Sequence, residues 1–161
     1  MKVVLDTNAI IYLNDFRMFD EIFTVSDVID EVKDKMNVLK LSGMELKVTD
    51  PQESSVKEIK IISKETGDLG KLSKTDIKIL ALAKEYGLTI LSDDYNIQNV
   101  AGKIEINYIS LFNKRITKLL RWSSYCNSCK KFFEHKIKCP NCGSQLIRRT
   151  ASEEFIKEKT N

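Results

Sequence analysis

The four cysteines of the chain lie in one short segment, and their spacing restricts the fold more than any other feature of the sequence. The pattern is Cys126-x2-Cys129 and Cys139-x2-Cys142, with nine residues between the two pairs. Two such turns can bring four thiolates into one tetrahedron, and soft thiolates suit Zn²⁺. Two disulfides, or an iron centre on the same ligands, are the alternatives. The spacing therefore predicts a four-cysteine metal module.

Metal binding is expected to supply the folding energy of this module. The segment from Tyr125 to Arg149 is too short to bury enough apolar surface by itself. Four protein ligands also leave no open coordination position for a reacting water. We therefore predict one structural Zn²⁺ per chain.

Charge divides the chain into an acidic and a basic part. Residues 1–111 hold 14 basic and 19 acidic side chains, whereas residues 112–150 hold 10 basic and 1 acidic. A basic surface beside an acidic one suits nucleic-acid phosphates next to bound cations. The predicted RNA-binding residues are Lys114, Arg115, Lys118, Arg121, Lys130, Lys131, Lys136, Lys138, Arg148 and Arg149.

Aromatic residues are interleaved with these cations. Trp122, Tyr125, Phe132 and Phe133 either stack on unpaired bases or pack the small core of the metal module. The only histidine, His135, is predicted to be a surface residue and not a fifth metal ligand.

Apolar runs alternate with amphipathic helices along the first 110 residues. Lys2 to Asp6 and Leu88 to Leu91 are predicted strands, and a helix runs from the Ser73-Lys74-Thr75-Asp76 start to Gly87. This alternation predicts an α/β fold with a parallel sheet flanked by helices. The apolar runs are too short to span a membrane, and we expect a cytoplasmic protein without a membrane partner.

The remaining segments are predicted with less regular structure. Ile104 to Tyr108 is predicted as the last strand of the sheet, and Asn113 to Trp122 as either a hinge or a packed helix. The charged tail from Ala151 is expected to fray, with room for a turn or two of helix over Glu153 to Lys159.

Acidic residues recur at the ends of the predicted strands. Asp6 and the pair Asp93-Asp94 each follow a strand, Asp76 begins a helix, and Glu31 can approach from the second helix. Each has a structural alternative as a helix cap or turn residue. Together these carboxylates would repel one another without a divalent cation, and they suit Mn²⁺ or Mg²⁺. The residues alone leave open which of these carboxylates are the ligands of such an ion.

Other catalytic arrangements lack the residues they require. The sequence has no Gly-rich phosphate loop, no G-x-S-x-G motif, and too few histidines for acid–base cleavage of RNA. Metal-assisted phosphodiester hydrolysis by water, leaving a 5′-phosphate and a 3′-hydroxyl, is therefore the predicted reaction.

These motifs resemble those of a known family. The Val3-Val4-Leu5-Asp6-Thr7-Asn8 run, Glu31, the Ser73 to Asp76 helix start and Leu91-Ser92-Asp93-Asp94 resemble the PIN-domain ribonucleases over residues 1–110. The added four-cysteine zinc ribbon and the Asp94-Tyr95-Asn96-Ile97-Gln98-Asn99-Val100 segment resemble the archaeal form of the Nin-one-binding family.

That resemblance implies an endonuclease that trims the 3′ end of precursor small-subunit rRNA. It implies that Asp6, Glu31, Asp76 and Asp94 bind the catalytic ions and that Asn8 orders the site. Asp93 departs from the family's usual small or hydroxyl residue, so either Asp93 or Asp94 could be the ligand.

The resemblance also implies an organisation and partners. Residues 1–111 would form the PIN-like nuclease domain, 112–122 the connecting segment, 123–150 the zinc ribbon and 151–161 the tail. Precursor rRNA and the pre-ribosomal small subunit would be the partners, with an assembly-factor protein as a further possibility. The alternatives are a toxin-type PIN ribonuclease and a non-catalytic RNA-binding assembly factor.

Overall fold

Two β-sheets organise the residues that the computed structural model describes, 1–35 and 45–156. The elements are, in chain order, β1 (Lys2–Leu5), α1 (Thr7–Tyr12), β2 (Glu21–Thr24), α2 (Ser26–Lys35), β3 (Leu46–Val48), α3 (Glu53–Thr66), α4 (Lys74–Tyr86), β4 (Thr89–Leu91), α5 (Tyr95–Lys103), β5 (Tyr108–Ile109), β6 (Lys118–Cys126), β7 (Lys131–Phe133) and β8 (Ile147–Phe155).

The first sheet is parallel and has the strand order β3-β2-β1-β4-β5. Its central strand β1 pairs with β2 through Val4 and Phe23 and with β4 through Val4 and Ile90. Val4 and Ile90 are fully buried, as expected for a sheet covered by helices on both faces. The chain turns from one side of β1 to the other, and the carboxyl ends of β1 and β4 therefore flank a topological switch point.

Helix α4 has the start and end that its sequence predicts. Ser73 accepts a hydrogen bond from the backbone N–H of Asp76, and the Asp76 carboxylate accepts one from the N–H of Ser73. Gly87 ends the helix in the left-handed conformation, with φ of 63°. The predicted α/β fold with helices flanking a parallel sheet is confirmed.

The second sheet is antiparallel, with the order β7-β6-β8, and it corrects two predictions. The segment predicted as a hinge or packed helix is strand β6 from Lys118 onward. The possible helix from Glu153 is instead strand β8, which runs to Phe155, and residues 157–161 lie outside the described part. The local sequence of the tail favours no strand. Pairing with a distant segment, including a 2.6 Å ion pair between Lys118 and Glu153, decides its conformation.

The last strand of the parallel sheet is displaced from its predicted position. Strand β5 covers only Tyr108–Ile109, because helix α5 occupies Tyr95–Lys103 and a turn follows it. Helix α5 was not predicted, because Asp93-Asp94 is also compatible with a turn. The short strand β2 was not predicted either. No helix among the described residues is long and apolar enough to cross a membrane.

A buried polar network holds the two sheets together. Asn99 of α5 donates to Asp68 at 2.6 Å and to the carbonyl of Leu120 at 2.8 Å, and it accepts from the N–H of Leu120 at 2.7 Å. Arg148 of β8 donates to the same Asp68 carboxylate at 2.6 Å. Burial raises the pKa of Asp68, and its hydrogen bonds with Asn99 and Arg148 act in the opposite direction. The network thus fixes β6 and β8 against the helices of the first sheet.

Candidate functional site

An acidic cleft of about 150 Å³ lies at the carboxyl ends of β1 and β4. Its lining residues are Asp6, Thr7, Asn8, Glu31, Asp76, Ile79, Asp94 and Ile97. Five of the six predicted site residues are among them; Asp93 is the exception. The cleft therefore brings together side chains from β1, α1, α2, α4 and α5.

Three of the cleft carboxylates cap helices. Asp6 accepts from the N–H of Ala9 at 2.6 Å at the start of α1, and Asp94 accepts from the N–H of Asn96 at 2.6 Å at the start of α5. Asp76 belongs to the capping box of α4. Each of these caps uses one oxygen of the carboxylate, so capping is compatible with cation binding by the same side chain.

Two threonines hold the fourth carboxylate. The hydroxyl of Thr7 donates to one oxygen of Glu31 at 2.6 Å, and the hydroxyl of Thr75 donates to the other at 2.9 Å. Sequence reasoning missed both threonines. The only available signal was their position, since each is the immediate neighbour of a cleft aspartate.

Burial and mutual repulsion shift the ionisation of the cleft. Burial raises the pKa of Asp6 to about 6, and the charges of Asp76 and Asp93 act in the same direction. Burial also raises the pKa of Asp76, with further contributions from Asp94 and Glu31. No lysine or arginine is among the lining residues of this cleft. Four carboxylates without a basic partner fit a hard divalent cation, whose charge would favour their ionised forms.

The four cysteines also converge. Their sulfur atoms all lie within 4.8 Å of one another, with 3.5 Å between Cys126 and Cys142 and 3.8 Å between Cys129 and Cys139. A tetrahedral zinc with Zn–S bonds of about 2.3 Å requires sulfurs roughly 3.8 Å apart. None of the four is in a disulfide. The donor set therefore fits one four-coordinate soft metal ion.

Comparisons with known proteins agree with this geometry. Residues 3–86 match the family model described as "PIN domain of ribonuclease". A protein of Archaeoglobus fulgidus named "Endoribonuclease Nob1" is 35% identical, and the match covers 93% of this chain and 92% of the relative. The chain belongs to the Nob1 family of PIN-domain endoribonucleases. The resemblance noted from the sequence motifs is confirmed.

Two further relatives of this Nob1 family member have different names. "Ribonuclease VapC1" of Thermoplasma acidophilum is 37% identical over 92% of this chain and 78% of the relative. "20S-pre-rRNA D-site endonuclease nob1" of Schizosaccharomyces pombe is 30% identical over 65% of this chain and 28% of the relative. All of these names describe ribonucleases, as the PIN match does, and the two Nob1 names describe endonucleases.

Asp93 does not line the cleft of this Nob1 family member. Its carboxylate accepts from the hydroxyl of Ser110 and from the backbone N–H groups of Leu111, Phe112 and Asn113. Burial acts to raise the pKa of Asp93, but the Ser110 and backbone hydrogen bonds outweigh it and lower the pKa overall. Asp93 therefore orders the loop after β5, whereas Asp94 lines the cleft.

The ten basic residues predicted to bind RNA fall into two groups. Lys118, Arg121 and Arg148 form ion pairs with Glu153, Glu134 and Asp68, respectively. Arg115 donates to the carbonyl of Tyr108, and Arg149 stacks 4.6 Å from the ring of Tyr125. The second group is exposed and has no ion pair within residues 1–35 and 45–156: Lys114, Lys130, Lys131, Lys136 and Lys138.

The aromatic side chains near the ribbon also differ in their environment. Tyr125 is buried and packs against the exposed ring of Phe132 at 4.8 Å, so it belongs to the core of the module. Arg148 lies 4.1 Å from the ring of Trp122. His135 is exposed, as predicted.

A larger groove of about 770 Å³ lies between α3 and the second sheet. Its charged side chains have both signs, among them Lys64, Glu65, Arg121 and Glu134, and none of its residues lines the acidic cleft. Of these two cavities of the described part of the chain, the smaller cleft is the one in which carboxylates converge without basic partners.

Proposed function

We propose that this chain is a metal-dependent endoribonuclease that cuts precursor small-subunit rRNA at its mature 3′ end, within the pre-ribosomal small subunit in the cytoplasm. The observation that carries the proposal is the convergence of four carboxylates in a cleft with no basic residue, in a member of the Nob1 family. The choice of substrate rests on the printed name of the fission-yeast relative, a 20S-pre-rRNA D-site endonuclease.

Asp6, Asp76 and Asp94 would hold one or two Mn²⁺ or Mg²⁺ ions. Such ions supply activation of a water and stabilisation of the charge that develops on the phosphate oxygens. Glu31, held by Thr7 and Thr75, would orient the reacting water or a metal-bound one. Asn8 would help to order the scissile phosphate. Hydrolysis by water gives a 5′-phosphate and a 3′-hydroxyl.

The second sheet would position the RNA. We assign this role to the five exposed lysines Lys114, Lys130, Lys131, Lys136 and Lys138, because the other predicted cations are engaged within the protein. Arg148 in particular pairs with the buried Asp68. One structural Zn²⁺ on the four cysteines would stabilise the surface that carries four of these lysines. An assembly-factor protein would be a further partner.

The proposed division of labour follows the predicted domains, with the nuclease in residues 1–111 and the ribbon in residues 123–150. The long strand β6 crosses the boundary predicted at residue 122. The connecting segment and the tail therefore contribute strands to the RNA-binding unit.

A toxin-type ribonuclease is the second candidate. The VapC1 relative matches 92% of this chain, so the match extends into the region of the ribbon. The presence of a ribbon therefore does not by itself distinguish the two functions, and the substrate must be tested directly.

The test compares three RNAs: one spanning the 3′ end of small-subunit rRNA and its downstream spacer, a transfer RNA and an unrelated messenger RNA. With Mn²⁺ or Mg²⁺ we expect one cut at the rRNA junction and a loss of about 100-fold or more in Asp6→Asn. A deoxynucleotide at the cleavage position should still be cut, because water is the attacking group. Preferred cleavage of transfer or messenger RNA would support a toxin-type ribonuclease. Binding without cleavage would support a non-catalytic assembly factor.

A further inference from the structure

Two exposed aromatic side chains lie next to each other beside the acidic cleft. Tyr12 is 57% exposed and Phe112 is 70% exposed. Their ring centroids are 5.9 Å apart and their planes meet at 85°, an edge-to-face arrangement. More than half of each residue's surface is thus open to solvent.

Both rings are connected directly to residues that form the cleft. Tyr12 lies four residues after Asn8 on α1, so the two side chains share one face of the helix, and Asn8 lines the cleft. Phe112 lies in the loop whose backbone N–H groups donate to Asp93, the neighbour of the cleft residue Asp94. The aromatic pair is therefore carried by two segments that adjoin the cleft, α1 and the loop bound to Asp93.

The pair is not needed to hold this loop in place. The Asp93 carboxylate already accepts hydrogen bonds from the Ser110 hydroxyl and from three consecutive backbone N–H groups. These bonds involve no aromatic ring. The two exposed rings are therefore available to a ligand with a flat apolar face.

We propose that Tyr12 and Phe112 form a stacking platform for an unpaired base of the RNA, adjacent to the scissile phosphate. This inference rests on the proposed function, because the acidic cleft with its divalent ion would hold the phosphate and the base of a neighbouring nucleotide would reach the rings. Stacking on aromatic rings is tolerant of base identity, since every base has a flat face. The exposed Lys114, two residues after Phe112, can contact an adjacent backbone phosphate.

A stacking platform of Tyr12 and Phe112 would make the enzyme selective for RNA that is single-stranded at the cleavage site. A base within a duplex is stacked between its neighbours and cannot lie on the platform without unpairing. The acidic cleft would hold the phosphate of any strand, whereas the platform would favour a nucleotide whose base is free.

The experiment measures binding of a single-stranded RNA that spans the proposed junction, without added Mn²⁺ or Mg²⁺ so that the RNA stays intact. The RNA is used in its normal form and with an abasic nucleotide at each position flanking the junction. The variants are Phe112→Leu, Tyr12→Leu and the control Tyr86→Leu. Tyr86 is 51% exposed and lies ten residues after Asp76 on α4, roughly 15 Å along the helix from the cleft.

We expect Phe112→Leu and Tyr12→Leu to weaken binding of the normal RNA between about 5-fold and 100-fold. On the RNA that is abasic at the stacked position, the variants and the unmodified protein should agree within about 2-fold. Tyr86→Leu should bind every RNA as the unmodified protein does. A 2-aminopurine at the stacked position should lose fluorescence on binding, and lose less with Phe112→Leu.

The platform would be overturned if a variant lost as much affinity for the abasic RNA as for the normal RNA, or if neither variant lost affinity. Unchanged circular dichroism of each variant shows that it is folded. The readout is binding, so a protein that binds but never cleaves would refute the proposed function and leave this test valid. If cleavage is normal and no variant shows a base-dependent loss of affinity, the platform is refuted and the proposed function stands.

Discussion

Single carboxylates in the cleft combine two tasks, helix capping and the proposed binding of a cation. Asp6 and Asp94 each accept a backbone N–H at 2.6 Å with one oxygen. Asparagine retains an oxygen acceptor at that position but removes the negative charge. Asp→Asn substitutions therefore preserve the cap and test the charge.

The neighbours Asp93 and Asp94 should respond differently to that substitution. Asp94→Asn is expected to lower the cleavage rate about 100-fold or more, because it removes a charge from the proposed cation site. Asp93→Asn should cost less than about 10-fold, mainly in KM, because weaker hydrogen bonds to the loop of Phe112 persist. Single-turnover cleavage at several RNA concentrations measures both. Equal losses in kcat would place Asp93 among the ligands.

The raised pKa of Asp6 predicts a pH-dependent cost to stability. Its pKa is about 6 in the folded protein and about 3.9 in an unfolded chain, so the folded state holds this proton more tightly. Stability from this group is present below about pH 4 and is lost as pH rises through 6. At neutral pH the ionised form costs on the order of 2–3 kcal/mol without a bound cation.

Asp6→Asn should therefore stabilise the protein against urea when no Mn²⁺ or Mg²⁺ is added, and more at pH 7.5 than at pH 5. The difference in stability between variant and unmodified protein is the quantity to measure, because the pH response of the four-cysteine module is common to both. Added Mn²⁺ should raise the stability of the unmodified protein more than that of the variant. A difference that does not change with pH would contradict this origin of the shift.

Residues with local signatures could be predicted, and residues defined by distant contacts could not. The strand-end position of Asp6 and the capping pattern of Asp76 are visible within a few neighbouring residues. The hydroxyl groups of Thr7 and Thr75 meet at Glu31 only because β1, α2 and α4 pack together. The opposite directions of Asp93 and Asp94 likewise depend on the loop after β5.

At the scale of elements, the end of α3 depends on a close approach to strand β6. Gly67 has φ of 78°, and a Cβ atom there would lie 2.3 Å from the carbonyl oxygen of Trp122. A side chain would therefore meet both backbone strain and a clash with main-chain atoms. The position requires glycine because the end of α3 meets the main chain of β6 there.

Gly67→Ala should lower the free energy of unfolding by about 2–4 kcal/mol, whereas Gly70→Ala should change it by less than about 0.5 kcal/mol. Gly70 is the matched control, because a Cβ atom there meets nothing within 4 Å. Urea unfolding measures the difference. Trp122 is the only tryptophan of the chain, so its emission should shift in Gly67→Ala alone. Equal stability of the two variants would contradict the contact.

Elements that begin and end with local signals were predicted well, as α4 shows with its capping box and Gly87. Strands β6 and β8 were not predicted. They pair with each other across about thirty residues of chain, and both contain charged side chains that give no local strand signal. Register along that pair, from Lys118 opposite Phe155 to Tyr125 opposite Ile147, is a property of the pairing and not of either segment.

At the scale of the whole molecule, the four-cysteine module should be separable from the parallel-sheet unit by its response to metal loss. Titration with an organomercurial, which attacks thiolates but spares Mg²⁺, should release about one zinc per chain. In NMR spectra we expect the amide signals of residues 126–146 to be lost and those of the parallel sheet to be retained. RNA binding should become weaker. Release of iron, or of no metal, would contradict the zinc assignment. Global unfolding would show that the two units are not independent.

Acidic and basic surfaces lie in different parts of the molecule. The acidic cleft is formed by the first sheet and its helices, and four of the five exposed lysines proposed to bind RNA lie in the ribbon. The network of Asp68, Asn99 and Arg148 sets the distance between these two surfaces. This arrangement allows one RNA to contact both a cation site and a basic surface.

The sequence by itself determined the four-cysteine module, the α/β class and the group of acids at the strand ends, because each follows from residue types a few positions apart. Only the tertiary structure decided that Asp94 and not Asp93 lines the cleft, that two threonines hold Glu31, and that the charged tail is a strand. These features depend on contacts between segments that are distant along the chain, and such contacts leave no local pattern. The same reason explains why Arg148, one of ten similar cations in the sequence, is paired with a buried aspartate in the fold.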